Sequence, residues 1–312
     1  MMLSGGEILI RVRTYQEHPM PEHTLRRITD HVWWLNPYAA TDRPTLGVVV
    51  GSASSLVVDA GASPAHARAL LAELARHALP PPRFVVLTHW HWDHIFGLTA
   101  LDAPALASME TQRIVGVLAG LDWSDVALDE RVAQGREIAF CRDMLRRELP
   151  DRAERQLRVP EIGIAATATL DLGGCACQLI HVGGDHSPDG LVVHVPHEGV
   201  VFLGDAIYDD LYHGPRRLTT TQIFPLLDRL LALNADYYVG GHDPEPIPRA
   251  QFAVDAALLR AIGATVAQIG DDREAVLAAL PGALGGSLDE ERIAIADAFL
   301  AGLRLPVVSS PL

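Results

Sequence analysis

The run His89-x-His91-x-Asp93-His94 sets three imidazoles and a carboxylate within six residues. Both groups are ordinary ligands of a zinc-type ion, at about 2.0–2.2 Å. His89 and His91 stand two apart and can share one ion, while the adjacent Asp93 and His94 can turn toward a second. Further donors follow at intervals. His186 lies in Gly183-Gly184-Asp185-His186-Ser187-Pro188-Asp189-Gly190, Asp205 in Phe202-Leu203-Gly204-Asp205, and His242 in Val239-Gly240-Gly241-His242-Asp243. Each comes after an apolar run and beside glycine, the setting in which loops at strand ends present reactive groups from a rigid scaffold. A lone histidine in a turn is a weak signal; these three positions gain weight from the cluster that precedes them.

The elements that must position these side chains are legible from patterning. Segments 31–36 and 45–50 are rich in β-formers, and 56–59 is a short apolar run closed by Ala60-Gly61. Ser63-Pro64 predicts a helix start, with Ser as N-cap and Pro at the first helical position. Leu70, Leu71 and Leu74 share one face of that helix, which must stop by Pro80-Pro81-Pro82. Segment 84–87 is a four-residue apolar run, the pattern of a buried strand, and it delivers the chain into the histidine cluster. From 109 to 158 charged and apolar residues mix at helical spacing, which predicts a helical insertion. Strands are expected again at 167–172, 178–182, 191–195 and 200–203, then a helix at 221–233 and a strand at 236–239. Segment 249–305 reads as helical, interrupted at Gly270-Asp271-Asp272 and at 281–287. No repeat or low-complexity segment occurs, and the order suggests sheets covered by helices on their outer faces.

With Asp59, the 89–94 cluster, His186, Asp205 and His242 present in that order, the sequence resembles the metallo-β-lactamase superfamily over roughly residues 27–243. The resemblance implies an α+β fold, an αββα sandwich with a helical insertion and a helical C-terminal extension. The catalytic domain would span 1–248, with the insertion at 109–158, and the extension 249–312. It further implies two divalent ions, zinc first and iron or manganese as alternatives. His89, His91 and His186 would bind one ion, Asp93, His94 and His242 the other, and Asp205 would bridge them. Asp59 would steady the ligand loop from behind, as metal sites generally require. Aspartate at the bridging position, with His91 where the superfamily's diiron flavoproteins have a carboxylate, is similar to the glyoxalase II and lactonase branch. Tyr208, three residues after Asp205, stands at the offset at which acyl-homoserine lactonases carry a tyrosine near the substrate carbonyl. Asp93 and Tyr208 are therefore the residues expected in catalysis. The implied reaction is attack of a metal-bridging hydroxide on an ester, lactone or thioester carbonyl, since bound zinc lowers the pKa of water toward about 7.

Bulk properties bound the partners. Acidic residues outnumber basic ones 39 to 25, giving a formal charge of −14. Nucleic-acid affinity rests on cations facing phosphates, so a small-molecule substrate is expected and a nucleic acid is not. No apolar run approaches the roughly 20 residues of a membrane-spanning helix, so no membrane partner is expected. The first residues lack a basic segment followed by an apolar one, so no secretory signal is expected. With Cys141, Cys175 and Cys177 as the three cysteines, a disulfide framework is not expected and a cytoplasmic location is. Cys175 and Cys177 should share one strand face as small buried residues.

Other residues carry both a functional and a plain reading. Trp90 and Trp92 could wall the pocket or fill the core. His181 could support a ligand, though a satisfied core position is commoner. His194, His197, His213 and Tyr212 lie near the motifs only in sequence, and His18, His23, His31, His66 and His77 read as surface or packing. The insertion could cap the pocket or form a homodimer interface. The C-terminal helices lack the basic signature of glutathione-binding glyoxalase II. The rival functions are an iron-dependent persulfide dioxygenase-like oxidoreductase and a non-catalytic binding protein.

Overall fold

The structure is a computed structural model and describes residues 23–212 and 214–304. His18, His213 and the N-terminal segment examined for a signal lie outside the described residues. Two sheets form the centre. In the first the order is β1 (Leu25–Arg27), β2 (Val32–Leu35), β3 (Leu46–Val50), β4 (Ser55–Val58), β5 (Phe84–Val86), β6 (Ala105–Ser108) and β7 (Ile162–Ile164). The first four are antiparallel, and β4 to β7 run parallel. The second sheet contains β8 (Thr167–Asp171), β9 (Ala176–His181), β10 (Leu191–Val195), β11 (Val200–Gly204), β12 (Tyr237–Gly240) and β13 (Ile247–Pro248) in spatial order β13-β12-β11-β10-β9-β8.

Period-two alternation assigns each strand residue to one of three cores. Val49, Leu56, Val58 and Val86 point between the sheets, where they meet Leu179, Leu191, Val193, Val195, Val200 and Phe202. Their neighbours Val48, Val57 and Val85 point outward, under α1 (Pro64–Arg76), α2 (Trp92–Ile95), α3 (Met109–Leu118), α4 (Asp125–Ala133) and α5 (Ala139–Glu148). On the other side Val192, Val201, Leu203 and Tyr238 pack under α6 (Thr220–Ala232), α7 (Arg249–Ile269), α8 (Arg273–Leu284) and α9 (Glu290–Arg304). Three cores between four layers make an αββα sandwich. Each fully buried Val or Leu contributes about 1.5–3 kcal/mol relative to exposure, so the two sheets and their helices are bound by side chains legible as alternation. Cys175 and Cys177 lie in the inter-sheet core as small apolar residues, and all three cysteines are unpaired and buried.

Ser63 caps α1 as its position predicts, its side chain accepting from His66 N at 3.0 Å, with Pro64 opening the helix. The 109–158 stretch is α3, α4 and α5, and it joins the parallel strands β6 and β7. Three expectations need correction. Strands β1, β6, β7 and β13 were not anticipated: β6 reads Ala-Leu-Ala-Ser, of low β-propensity, β1 and β7 have three residues each, and β13 has two. Helix α8 continues through Pro281 to Leu284, at the cost of the single backbone hydrogen bond that the missing N–H of Pro281 would have made. The absence of any segment of membrane-spanning length also fails for α7. It has 21 residues, and its most apolar 18-residue stretch has a mean hydropathy of 1.4, long and apolar enough by length and composition to cross a membrane. Arg249, Asp255 and Arg260 interrupt its apolar run in sequence, and Phe252, Ala256, Leu259, Ile262 and Val266 bury one face in the core shared with α8 and α9.

Candidate metal centre

All seven donors sit where strands end. Beyond β5 the chain passes through Leu87 and Thr88 to His89, and His91 takes the N-cap position of α2, which carries Asp93 and His94. His186 hangs from the β9–β10 turn, where Gly183 and Gly184 have φ of 65° and 140°. Such values favour glycine, and a Cβ on Gly184 would stand 2.8 Å from Ala206 O. Asp205 follows β11, and His242 follows β12 after Gly241. A Cβ on Gly241 would meet Asp205 Oδ1 at 2.0 Å, so glycine there lets the two loops close on each other.

The side chains converge into two trios with one residue between. One donor atom each of His89, His91 and His186 lies within 4.8 Å of the others, as do those of Asp93, His94 and His242, and those of His89, His94 and Asp205. Asp205 Oδ2 is 3.3 Å from His186 Nε2 and 3.5 Å from His242 Nε2, while its Oδ1 is 3.5 Å from His94 Nε2. Asp93 Oδ2 lies 3.0 Å from His242 Nε2 and 3.4 Å from His94 Nε2. Asp205 thus touches ligands of both trios.

Groups behind the histidines set which nitrogen faces the centre. His186 Nδ1 lies 2.9 Å from the carbonyl of Asp209, which only accepts, so Nδ1 carries the proton and Nε2 offers a lone pair. Thr88 Oγ1 donates to Asp59 Oδ2 at 2.9 Å, leaving it to accept from His89 Nδ1 at 3.0 Å. Asp59 Oδ2 also holds His94 Nδ1 at 2.8 Å, and Asp59 Oδ1 accepts from Thr88 N at 2.7 Å. Asp59 therefore orients His94 directly and His89 through Thr88. Thr88 and the Asp209 carbonyl were not singled out from the sequence. Thr88 adjoins the cluster and could have been, but a backbone carbonyl leaves no residue-type signal.

The electrostatics match a cation site. Burial, followed by neighbouring histidines, pushes the pKa of His89 and His91 well below the usual value, keeping both neutral. Burial disfavours the charged form of Asp205 too, but His242 and His94 outweigh it and hold its pKa well below the carboxylate range. Asp93 is held low in the same way by His94 and His242. For His94 burial opposes protonation, and Asp93, Asp59 and Asp205 overcome it. The ring nitrogens Nε2 of His89, His94 and His186, and Asp205 Oδ1, are buried with no hydrogen-bond partner. Inward polar atoms without partners cost free energy, and divalent ions would satisfy them, taking the place of the second proton that the neighbouring carboxylates favour on His94. The donor set of imidazole and carboxylate, without thiolate, suits zinc, iron or manganese.

The rim is aromatic. Tyr208 donates to Asp243 Oδ2 at 3.1 Å and accepts from His242 N at 3.3 Å, its ring 6.1 Å from that of His186. Trp90 and Trp92 belong to the core under the helices, and Trp90 also faces the rings of His91 at 4.5 Å and Tyr212 at 5.3 Å. The Tyr212 ring lies tilted against that of His91, 5.0 Å between centroids, and its hydroxyl reaches Cys141 Sγ on α5 at 3.4 Å, joining the helical insertion to the centre. His181 is neither a ligand support nor a core residue. It is half-buried, and its Nε2 lies 3.0 Å from Pro188 O, away from the donors. His194 pairs with Gln178, His31 with Glu198, and His197 is exposed.

Residues 40–105 match the family profile described as the metallo-beta-lactamase superfamily. An acyl-coenzyme A thioesterase MBLAC2 from Gallus gallus is 28% identical over 191 residues, which cover 57% of this chain and 63% of that protein. A metallo-beta-lactamase type 2 from Bacteroides fragilis is 32% identical over 94 residues, covering 28% of this chain and 38% of that one. The chain thus spans just under two thirds of the thioesterase's length and a smaller part of the lactamase's. Among solved structures, a metallo-beta-lactamase family protein from Thermus thermophilus superposes with a TM-score of 0.56 at 20% identity, covering 89% of this chain and 94% of that one. An inverting sec-alkylsulfatase from Pseudomonas sp. gives 0.60 at 14% identity, covering 88% and 50%. At these identities the structures speak to the fold alone.

Proposed function

We propose that this chain, which matches the metallo-β-lactamase superfamily profile over residues 40–105 and shares its fold, is a dinuclear metal-dependent hydrolase of thioesters or esters. The observation that carries the proposal is the convergence of seven buried donors into two trios about Asp205. His89, His91 and His186 would hold one ion and Asp93, His94 and His242 the other, with Asp205 shared. Divalent ions of the zinc type supply a nucleophile by lowering the pKa of water toward about 7, and polarise a carbonyl.

The chain's own residues orient and enclose. Asp59, Thr88 and the Asp209 carbonyl fix the proton on Nδ1 of three histidines, so that each Nε2 is ready to coordinate without reorganisation. Trp90 and Tyr212 wall the His91 side and exclude water from it. The acidic total charge disfavours polyanionic substrates such as nucleic acid. Similarity to acyl-coenzyme A thioesterases favours a thioester as the first substrate class.

A lactone is the second reading, supported by Tyr208, whose hydroxyl is anchored on the His242 loop within 6.1 Å, ring to ring, of His186. The complete second trio favours hydrolysis over mononuclear iron-dependent oxidation. The test is zinc-reconstituted protein assayed on an acyl-coenzyme A series by thiol release and on acyl-homoserine lactones by proton release. Turnover that vanishes on chelation and returns with zinc is expected for one class. Protein that carries two ions yet cleaves neither would overturn the assignment.

A further inference from the structure

Asp42 stands on the Nδ1 side of His242, at ion-pair range rather than in the hydrogen bond that joins Asp59 to His94. Its Oδ1 lies 3.8 Å from His242 Nδ1, on the far side of the ring from Asp93, whose Oδ2 is 3.0 Å from His242 Nε2. The Asp42 side chain is 5% exposed. Its backbone is left-handed, with φ 58° and ψ 31°, at the end of a 3-10 turn formed by Ala39–Thr41. Asp59 is left-handed too, at φ 64°. Few residues other than glycine, asparagine and aspartate hold that conformation, and it recurs at functional sites where the surroundings enforce it.

The surroundings enforce it here. Tyr38 and Arg43 exchange both backbone hydrogen bonds across the turn, at 2.9 and 3.0 Å. Thr45 N donates to Gly241 O at 2.6 Å, tying this segment to the loop that carries His242. Arg43 is itself anchored on Glu148 at 2.8 Å. The carboxylate is thus locked next to one ring nitrogen of His242 while the other faces the second trio. A histidine that coordinates through Nε2 carries its proton on Nδ1, and a carboxylate on that side favours this tautomer electrostatically and can take up the proton as a hydrogen bond when the ring closes on an ion.

We propose that Asp42 is a positioning residue for the second metal site, orienting His242 so that its Nε2 coordinates the ion held with Asp93 and His94. The inference rests on the dinuclear reading above. The paired carboxylates divide the labour, Asp59 serving His94 and Asp42 serving His242.

The test uses the substitution Asp42→Gly. Glycine adopts φ 58° freely, so the turn keeps its conformation while the carboxylate is lost. Asp42→Asn, which keeps a neutral acceptor and tolerates the same backbone, is the second variant. Zinc is titrated against a chromophoric chelator, and the melting temperature of the metal-free protein is followed alongside. The expected result is two ions per chain in wild type, with the weaker ion of Asp42→Gly bound about 10–100-fold less tightly. Asp42→Asn should fall between, and neither metal-free variant should lose thermal stability. Wild-type affinity for both ions in both variants would overturn the role of Asp42 and leave the dinuclear site intact. A single ion in wild type would overturn the dinuclear reading itself, and this inference with it.

Discussion

Asp59 Oδ2 lies 2.8 Å from His94 Nδ1, and the same oxygen accepts the Thr88 hydroxyl at 2.9 Å. One carboxylate, fully formed in the fold behind the site, therefore sets two ligand histidines that belong to different trios. Its residue follows β4 at φ 64°, so the chain accepts a backbone conformation that costs on the order of 1 kcal/mol or more at the position where both histidines are fixed.

Asp59→Asn keeps the left-handed backbone and one acceptor but removes the charge. Zinc affinity should fall about 10–100-fold. The metal-free protein should lose about 1–3 kcal/mol, because Thr88 and His94 keep buried donors that are less well satisfied. Chelator competition and denaturant unfolding measure the two separately. Unchanged zinc binding would remove Asp59 from the site and leave it a turn residue.

The parts of the centre legible in the sequence are those that local residue type encodes. His89, His91, Asp93 and His94 crowd six positions, and Asp205 and His242 each follow a buried strand whose apolar run marks it. What supports them was less legible. Asp42 reaches His242 only because β3 and β12 bring distant loops together, and the carbonyl that holds His186 could belong to any residue. Sheets covered by helices followed from strands alternating with helices, and the αββα sandwich from the family resemblance, but the short β1, β6, β7 and β13 fall below what alternation can signal. The length of α7 was hidden by charges that its helical geometry separates onto different turns.

Histidines buried in the fold make the metal-free protein sensitive to acid. Burial, then the Arg43 charge, lowers the pKa of His23 to about 4, and burial pushes the fully enclosed His66 well below its usual value. These native-state values lie under the unfolded value of about 6.5. Between about pH 6.5 and 4 the unfolded chain therefore binds protons that the native state does not, and stability is lost as pH falls through that window. His94, with its pKa raised, acts in the opposite sense, so the His23 contribution is read as a difference. Chelator-treated His23→Gln should lose less melting temperature between about pH 7 and pH 5 than wild type does. Parallel melting curves for the two proteins would remove His23 from the acid response.

A buried carboxylate is among the ties that join the helical insertion to the metal-bearing half. Glu148, at the end of α5, receives Arg43 Nε at 2.8 Å and the Ser63 hydroxyl, and both of the charged side chains are at least 90% buried. Donating its only hydrogen to Glu148 leaves the Ser63 oxygen to accept from His66 N, so the cap of α1 and the anchor of α5 are one network. Removing one partner of a buried pair costs about 3–5 kcal/mol, because the other charge remains without compensation. Arg43 also follows Asp42 directly, so the loss should reach the second metal site through the turn. Glu148→Ala is therefore expected to lower unfolding free energy by that amount and to weaken the second zinc more than the first. A loss under about 1 kcal/mol, the range of surface pairs, would mean that Arg43 finds water or another acceptor and that Glu148 is not what anchors the insertion.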